Sequence, residues 1–375
     1  MHSDNAREGI SRRRFLRIGG GALTGAVLLG AAGRALAQTN SLQAEFDSAA
    51  GEYGVPEALL LAMGYSNTLW EMPSPENSAY KRGDLESRGA YGVMHLEQNP
   101  WRDTLGRAAS LTGIPKDRLK SDRAANIRGA TALLADIAGP NKPKNLDEWR
   151  EEVAEYGDTD LYATTVFETL ENGASRRIST GETLNLEAQN VEAPRIYEAQ
   201  SRRTDYPRAL WRPAAGGNYG NSSRERSYNI DKIVIHVAQG SYAGTVNYFQ
   251  NPSAGVSAHY TVSRRGRIAQ SVRHADIGYH AGHYPTNTRS IGIEHEGYVE
   301  NSGSFTSAMY QASAKLSAYC CKRHRIRVDR RHIIGHHQVP GCSGPGGGAS
   351  CHTDPGRYWD WDRYIRLVRR YRKRL

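Results

Sequence analysis

One short run constrains this chain more than any other feature: Asp231–Val237 (Asp-Lys-Ile-Val-Ile-His-Val) is rich in β-branched residues and places a histidine near its end. A run of this kind reads as a buried strand. His259–Val262, Arg267–Val272 and Ser290–Glu296 are further strand candidates, while Thr306–Tyr319 and Trp361–Tyr371 have the spacing of amphipathic helices. Strands alternating with helices predict an α/β unit over residues 205–375, a mixed sheet flanked by helices.

That region also concentrates the chemistry. Eleven of the 13 histidines and all four cysteines lie beyond residue 200. Gly335-His336-His337-Gln338 follows the strand-like Ile333-Ile334, and Cys351-His352-Thr353-Asp354-Pro355-Gly356 comes soon after. Two imidazoles and one carboxylate make an open three-ligand zinc site whose fourth tetrahedral position is left for water. The competing use of the cysteines, a zinc-thiolate cluster, lacks the paired spacing of a ligand knuckle. Cys342 and Cys351 bracket a Gly-rich loop and are the preferred disulfide pair of the three pairings of Cys320, Cys321, Cys342 and Cys351.

Six motifs, IVIHVAQG, GVSAHYTV, HAGH, SIGIEHEG, HIIGHHQVPG and HTDPG, occur in this order across residues 205–365. Together they resemble the zinc-dependent N-acetylmuramoyl-L-alanine amidases of the type 2 amidase and peptidoglycan recognition protein family. The resemblance implies that His236, His336 and Asp354 bind Zn2+, with His336 preferred over His337 because the family's ligand directly follows glycine. It also implies that Glu294 is the general base. Period-two alternation puts Glu294 and Glu296 on one sheet face, so geometry alone leaves both open, and the resemblance selects Glu294. A basic residue two positions before the aspartate steadies the oxyanion in relatives; here it is His352, a departure that ties activity to imidazole protonation. His259 and His280 are substrate contacts by the same resemblance, and peptidoglycan is the implied partner. The implied reaction is hydrolysis of the amide between N-acetylmuramic acid and L-alanine. The alternative is a non-catalytic peptidoglycan-recognition protein.

Residues 41–172 read differently. Helical periodicity dominates Val55–Trp70 and Ala124–Ile137, with further helices expected at Trp101–Leu111, Leu146–Tyr156 and Tyr162–Leu170. Two stretches, Ala58–Trp70 and Gly89-Ala90-Tyr91-Gly92-Val93-Met94-His95-Leu96, resemble the lysozyme-like lytic transglycosylases. In that family the first helix ends in a catalytic glutamate, and here Asn67 stands in its place; His95 replaces the usual glutamine. An amide cannot protonate a leaving glycosidic oxygen, so the resemblance implies a degenerate, mostly α-helical lysozyme-like domain that keeps a glycan groove, unless Glu71, one turn on, substitutes. Residues 173–204 lose periodicity and read as a linker.

At the amino terminus, Ser11-Arg12-Arg13-Arg14-Phe15-Leu16-Arg17 precedes an apolar Gly/Ala-rich run and the small residues Ala35-Leu36-Ala37. This resembles a twin-arginine signal peptide over residues 1–37 and implies a secreted or cell-wall protein that meets the membrane only transiently, during export. Charge is divided between the regions: residues 41–200 carry a net −10 and residues 201–375 a net +16. The basic half, which ends in an Arg-rich helix, should seek an anionic partner. Cell-wall polymers are the expected one; nucleic acid is not expected for an exported protein.

Overall fold

A computed structural model of the protein describes residues 41–375 except 86, 194–203, 222–223 and 341–351. The expected signal peptide and the expected Cys342–Cys351 pair lie outside the described residues. Cys320 and Cys321 are buried free thiols.

The first half is helical. Helices α1 (Leu42–Tyr53), α2 (Glu57–Thr68), α3 (Thr104–Thr112), α4 (Lys116–Ser121), α5 (Arg123–Ala138), α6 (Arg150–Tyr156) and α7 (Asp160–Asn172) surround a core of Phe46, Leu60, Met63, Trp70, Leu133, Trp149 and Phe167. Their starts are set by side chains that accept orphan backbone N–H groups: Ser41 before α1, Asp103 before α3, Asp122 before α5 and Thr159 before α7. Gly54 and Gly113 end α1 and α3 in the left-handed region that glycine adopts without steric cost. Two of these helices, α1 and α4, were not expected from periodicity. The expected linker is a further correction. Its first part forms a hairpin, β1 (Ala174–Arg177) against β2 (Thr183–Leu186), whose Leu184 and Leu186 are buried in the helical core.

The second half is built on a six-stranded mixed sheet of β3 (Leu210–Trp211), β4 (Lys232–Ile235), β5 (Tyr260–Val262), β6 (Ile268–Gln270), β7 (Ser290–His295) and β8 (Ile333–Gly335). The spatial order is β8-β4-β7-β5-β6-β3, and only the β5–β6 pair is antiparallel. Ile233 sits between Ile291 and Ile333 in register, which is why the apolar run at 232–235 occupies the middle of the sheet. Helices α9 (Ser307–Arg323) and α10 (Trp361–Arg372) cover the sheet and share its core through Met309, Tyr310, Leu316, Tyr364 and Val368.

Helix α8 (Tyr242–Gln250) was not expected from the sequence, and it joins the halves. Tyr242, Ala243 and Val246 are buried in the same apolar cluster as the α1–α7 core. Polar contacts run alongside: Arg88 donates to the Gln239 carbonyl at 3.0 Å and to Thr245 Oγ1 at 3.3 Å, and Arg267 pairs with Glu168. The described residues are accordingly one compact unit.

Candidate metal centre and catalytic cleft

Strands β8, β4 and β7 are parallel neighbours, so their carboxyl ends open on the same edge of the sheet, where α/β sheets place their ligands. His236 directly follows β4 and stays in the ladder, its N–H donating to the Ile293 carbonyl at 2.9 Å. His336 opens the short helical turn His336–Gln338 that follows β8. Glu294 lies on β7. Asp354 comes from the loop before α10, and its Oδ2 accepts the Val237 N–H at 3.2 Å.

These elements bring three ligand-type side chains together. His236 Nδ1 is 3.3 Å from Asp354 Oδ2, His336 Nδ1 is 3.1 Å from Asp354 Oδ1, and one atom of each residue lies within 4.8 Å of the others. All three residues are buried. Ligand atoms on a tetrahedral zinc, each about 2.0–2.2 Å from the ion, stand roughly 3.3–3.6 Å apart. The N, N, O donor set and its spacing therefore fit that ion. Among the described residues it is the one cluster of three or more such groups.

The electrostatics agree. Burial and then the neighbouring His336 push the His236 imidazole down to about 4, against the pull of Asp354, so it stays neutral with a lone pair to give. Burial alone would raise Asp354, but the imidazoles on its two oxygens more than reverse that and hold it ionised well below the usual carboxylate range. Both are ligating forms.

A cavity of about 200 Å³ opens beside this cluster, lined by His236, His280, Glu294, His336, His352 and Asp354. Glu294 Oε1 is 3.9 Å from His236 Nδ1. Glu296, which alternation left open beside it, does not line the cavity and accepts the Arg264 N–H at 2.7 Å. His352 stacks on His336 with ring centroids 3.7 Å apart and planes 15° from parallel. His337 is exposed and turned away, its Nδ1 3.0 Å from the Asp354 carbonyl.

Two expected substrate contacts part company here. His280 lines the cavity, but its Nδ1 is 3.0 Å from His236 Nε2 and its Nε2 is 3.2 Å from Ser290 Oγ, so both ring nitrogens are engaged by the protein. Gly292 leaves the room for that ring: a Cβ there would come 2.4 Å from His280 Cγ. His259 does not line the cavity. It is wholly buried, its Nδ1 accepting the Gly292 N–H at 3.0 Å and its Nε2 lying 2.8 Å from Arg224, a structural role in place of the expected contact.

The sequence reading missed one wall of the cavity altogether. Gly83, Asp84 and Leu85, from the loop between α2 and α3, line the cavity from the helical half. No motif marks them; the Gly83 N–H reaches the Ala254 carbonyl at 3.0 Å only because the two halves share a core.

Comparison with known proteins finds relatives of the sheet half. Residues 226–357 match the family model described as N-acetylmuramoyl-L-alanine amidase. N-acetylmuramoyl-L-alanine amidase A of Achromobacter lyticus is 34% identical over 174 residues, covering 44% of this chain and 95% of that protein. The 1,6-anhydro-N-acetylmuramyl-L-alanine amidase AmpD of Haemophilus influenzae is 36% identical over 121 residues, covering 30% of this chain and 59% of that protein. Among solved structures, a selenomethionine AmpD derivative aligns at 26% identity and a TM-score of 0.34, covering 43% of this chain and 94% of that one. With nearly the whole length of the Achromobacter enzyme represented, the chain belongs to the N-acetylmuramoyl-L-alanine amidase family.

Proposed function

We propose that the protein is an exported, zinc-dependent hydrolase of peptidoglycan that cuts the amide between N-acetylmuramic acid and L-alanine. The observation that carries this reading is the placement of Glu294 at the edge of a buried His236–His336–Asp354 cluster with ligand spacing. When bound there, zinc supplies Lewis acidity to the scissile carbonyl and to water. Glu294, buried in the cavity wall, takes the proton of the attacking water and passes it to the leaving amine nitrogen. His352, at the cavity beside His336, donates to the carbonyl oxygen as negative charge develops on it. His280 holds His236 in orientation from behind.

The helical half is read as a transglycosylase-like region without its acid. Asn67 is buried and its amide donates to the Met94 carbonyl at 3.1 Å. Glu71 is engaged by Arg176 at 3.0 Å and by Ser179 Oγ at 2.6 Å, which supports a structural use over a general acid. Export through the twin-arginine route rests on Arg12-Arg13 and the run behind them; no helix among the described residues is long and apolar enough to cross a membrane.

Mass analysis of soluble products from digested peptidoglycan tests the activity. Free stem peptides, lost on chelation and restored by zinc, are the expected result. Binding of walls without release of peptides would make the protein a recognition module, and release of anhydro-sugars would make it a transglycosylase. Replacing Arg12 and Arg13 by lysine should stop export; unaltered export would overturn the twin-arginine assignment.

A further inference from the structure

A cleft of about 640 Å³ opens at the other end of the sheet from the metal cluster. Asn229 and Ile230, which line it, precede β4, whereas His236 follows that strand. Tyr228 joins them from one side, and Arg323, His324 and Arg325 face them from the end of α9. No carboxylate is among the described residues that line it. Asp205 reaches Arg323 at 3.6 Å from behind, but it also accepts from Gln270 Nε2 at 2.6 Å and from the His274 N–H at 2.9 Å. The carbonyl end of α9 adds roughly half a negative charge, which the cations around it, Lys322, Arg323, Arg325 and Arg327, outweigh.

The cleft presents hydrogen-bond donors. His324 Nε2 lies 2.8 Å from Nδ1 of His274, whose Nε2 is 2.7 Å from the Tyr260 hydroxyl. His274 and Tyr260 are wholly buried. A buried hydroxyl whose proton finds no acceptor costs more than an unused lone pair, so Tyr260 donates to His274 Nε2. His274 then donates from Nδ1 to His324 Nε2, which puts the one N–H of His324 on Nδ1, a nitrogen that no described residue engages. Arg325 follows the C-cap of α9 with φ 59°, in the left-handed region where glycine is favoured. An arginine is strained there. Its guanidinium bonds to no described residue and lines the cleft.

We propose that this cleft is a binding site for a phosphate ester, in which Arg323 and Arg325 hold the phosphoryl oxygens and the His324 N–H adds a directed hydrogen bond. Guanidinium forks match phosphate oxygens in geometry and charge. The exposed ring of Tyr228 packs against the carbon skeleton of the ester. The site differs from a diffuse attraction of the basic half to anions, because it is confined to one cleft and needs Arg325. An occupant there stays clear of the catalytic cavity at the other strand end, so it holds the protein in place without competing for substrate.

The test is calorimetric titration of the full-length protein at fixed ionic strength, with soluble poly(glycerol phosphate) in one arm and phosphatidylcholine vesicles containing phosphatidylglycerol in the other. At least one arm should show saturable binding. Arg325→Gly should weaken it by about tenfold or more, the loss of a charge-assisted hydrogen bond, yet melt at or above the wild-type temperature because glycine suits the left-handed cap. Arg370→Gln, on the exposed side of α10, removes the same charge and should leave the affinity near wild type. Saturation in the polymer arm identifies a polymer phosphodiester as the source and saturation in the vesicle arm a lipid headgroup; either supports the site when Arg325→Gly abolishes or weakens it. No saturable binding in either arm, or equal weakening by Arg325→Gly and Arg370→Gln, would overturn the proposal.

Discussion

His280 Nδ1 stands 3.0 Å behind His236 Nε2, on the side of the imidazole away from Asp354. With Nδ1 of His236 given to a metal, its Nε2 carries the proton and donates to His280, whose own Nε2–H donates to Ser290 Oγ, whose hydroxyl donates to the Thr286 carbonyl at 2.6 Å. The chain of donors fixes one tautomer at each ring. His280→Ala should therefore weaken zinc binding by about 10- to 100-fold, the usual cost of losing a hydrogen bond behind a ligand. Competition against a chromophoric chelator measures this directly, and unchanged affinity would return His280 to the role of a substrate contact.

Glu294 and Glu296 separate into two roles. Glu294→Gln keeps the shape of the cavity wall and removes the proton acceptor, so zinc content should stay near wild type while turnover falls by roughly two to four orders of magnitude. Glu296 is buried away from the cluster beside Arg264, and Glu296→Gln should cost little turnover. Parallel assays of metal content and product release decide it; a larger loss in Glu296→Gln would exchange the assignments.

Much of the sheet half was legible because two of its three clustered residues, His236 and His336, sit where strands end. The β-branched run before His236 and the Ile333-Ile334 pair before His336 mark both strand ends in the sequence, and the order of motifs supplied the rest. The helical half was legible in α2, α3, α5, α6 and α7, each expected from the sequence, and not in α1 and α4. Helix α8 was missed because Tyr242–Gln250 is buried on several sides and shows no polar stripe. With α8 unseen, the shared core was unseen too, and so was the Gly83–Leu85 wall of the cavity. His259 was misplaced for a related reason: its motif gives its strand, but the partner that turns its ring inward, Arg224, comes from a segment without a periodic signal.

Buried neutral histidines should make the fold sensitive to acid. Burial, with Arg224 next, keeps His259 well below the ordinary imidazole value, and burial keeps His274 at about 3. In the unfolded chain both titrate near 6.5, so as pH falls below that value the unfolded state takes up protons that the folded state refuses. Stability should be full above about pH 6.5 and decline by up to ~1.4 kcal/mol per pH unit for each such histidine below it. Urea midpoints from pH 7.5 to 4.5 follow this, and His259→Gln should flatten the slope; an unchanged slope would place the acid sensitivity elsewhere.

The two halves should unfold together. Tyr242 and Val246 of α8 are buried in the helical core, each side chain worth roughly 1.5–3 kcal/mol when fully buried. Arg88 crosses the junction to the Gln239 carbonyl and Thr245, and Gly240 makes way for it, since a Cβ there would come 1.5 Å from the guanidinium. Arg88→Ala removes charge-assisted hydrogen bonds and leaves the Gln239 carbonyl without that donor, a loss of about 2–3 kcal/mol. Calorimetry of the full chain should show one transition that moves down as a whole in Arg88→Ala and in Gly240→Ala. Residues 205–375 produced alone should expose Tyr242 and Val246, bind hydrophobic dyes and melt well below the full chain. Two resolved transitions in the intact protein, with only one shifted by Arg88→Ala, would mean that the helical and sheet halves are independent and that the cavity wall at Gly83–Leu85 is held by the loop alone.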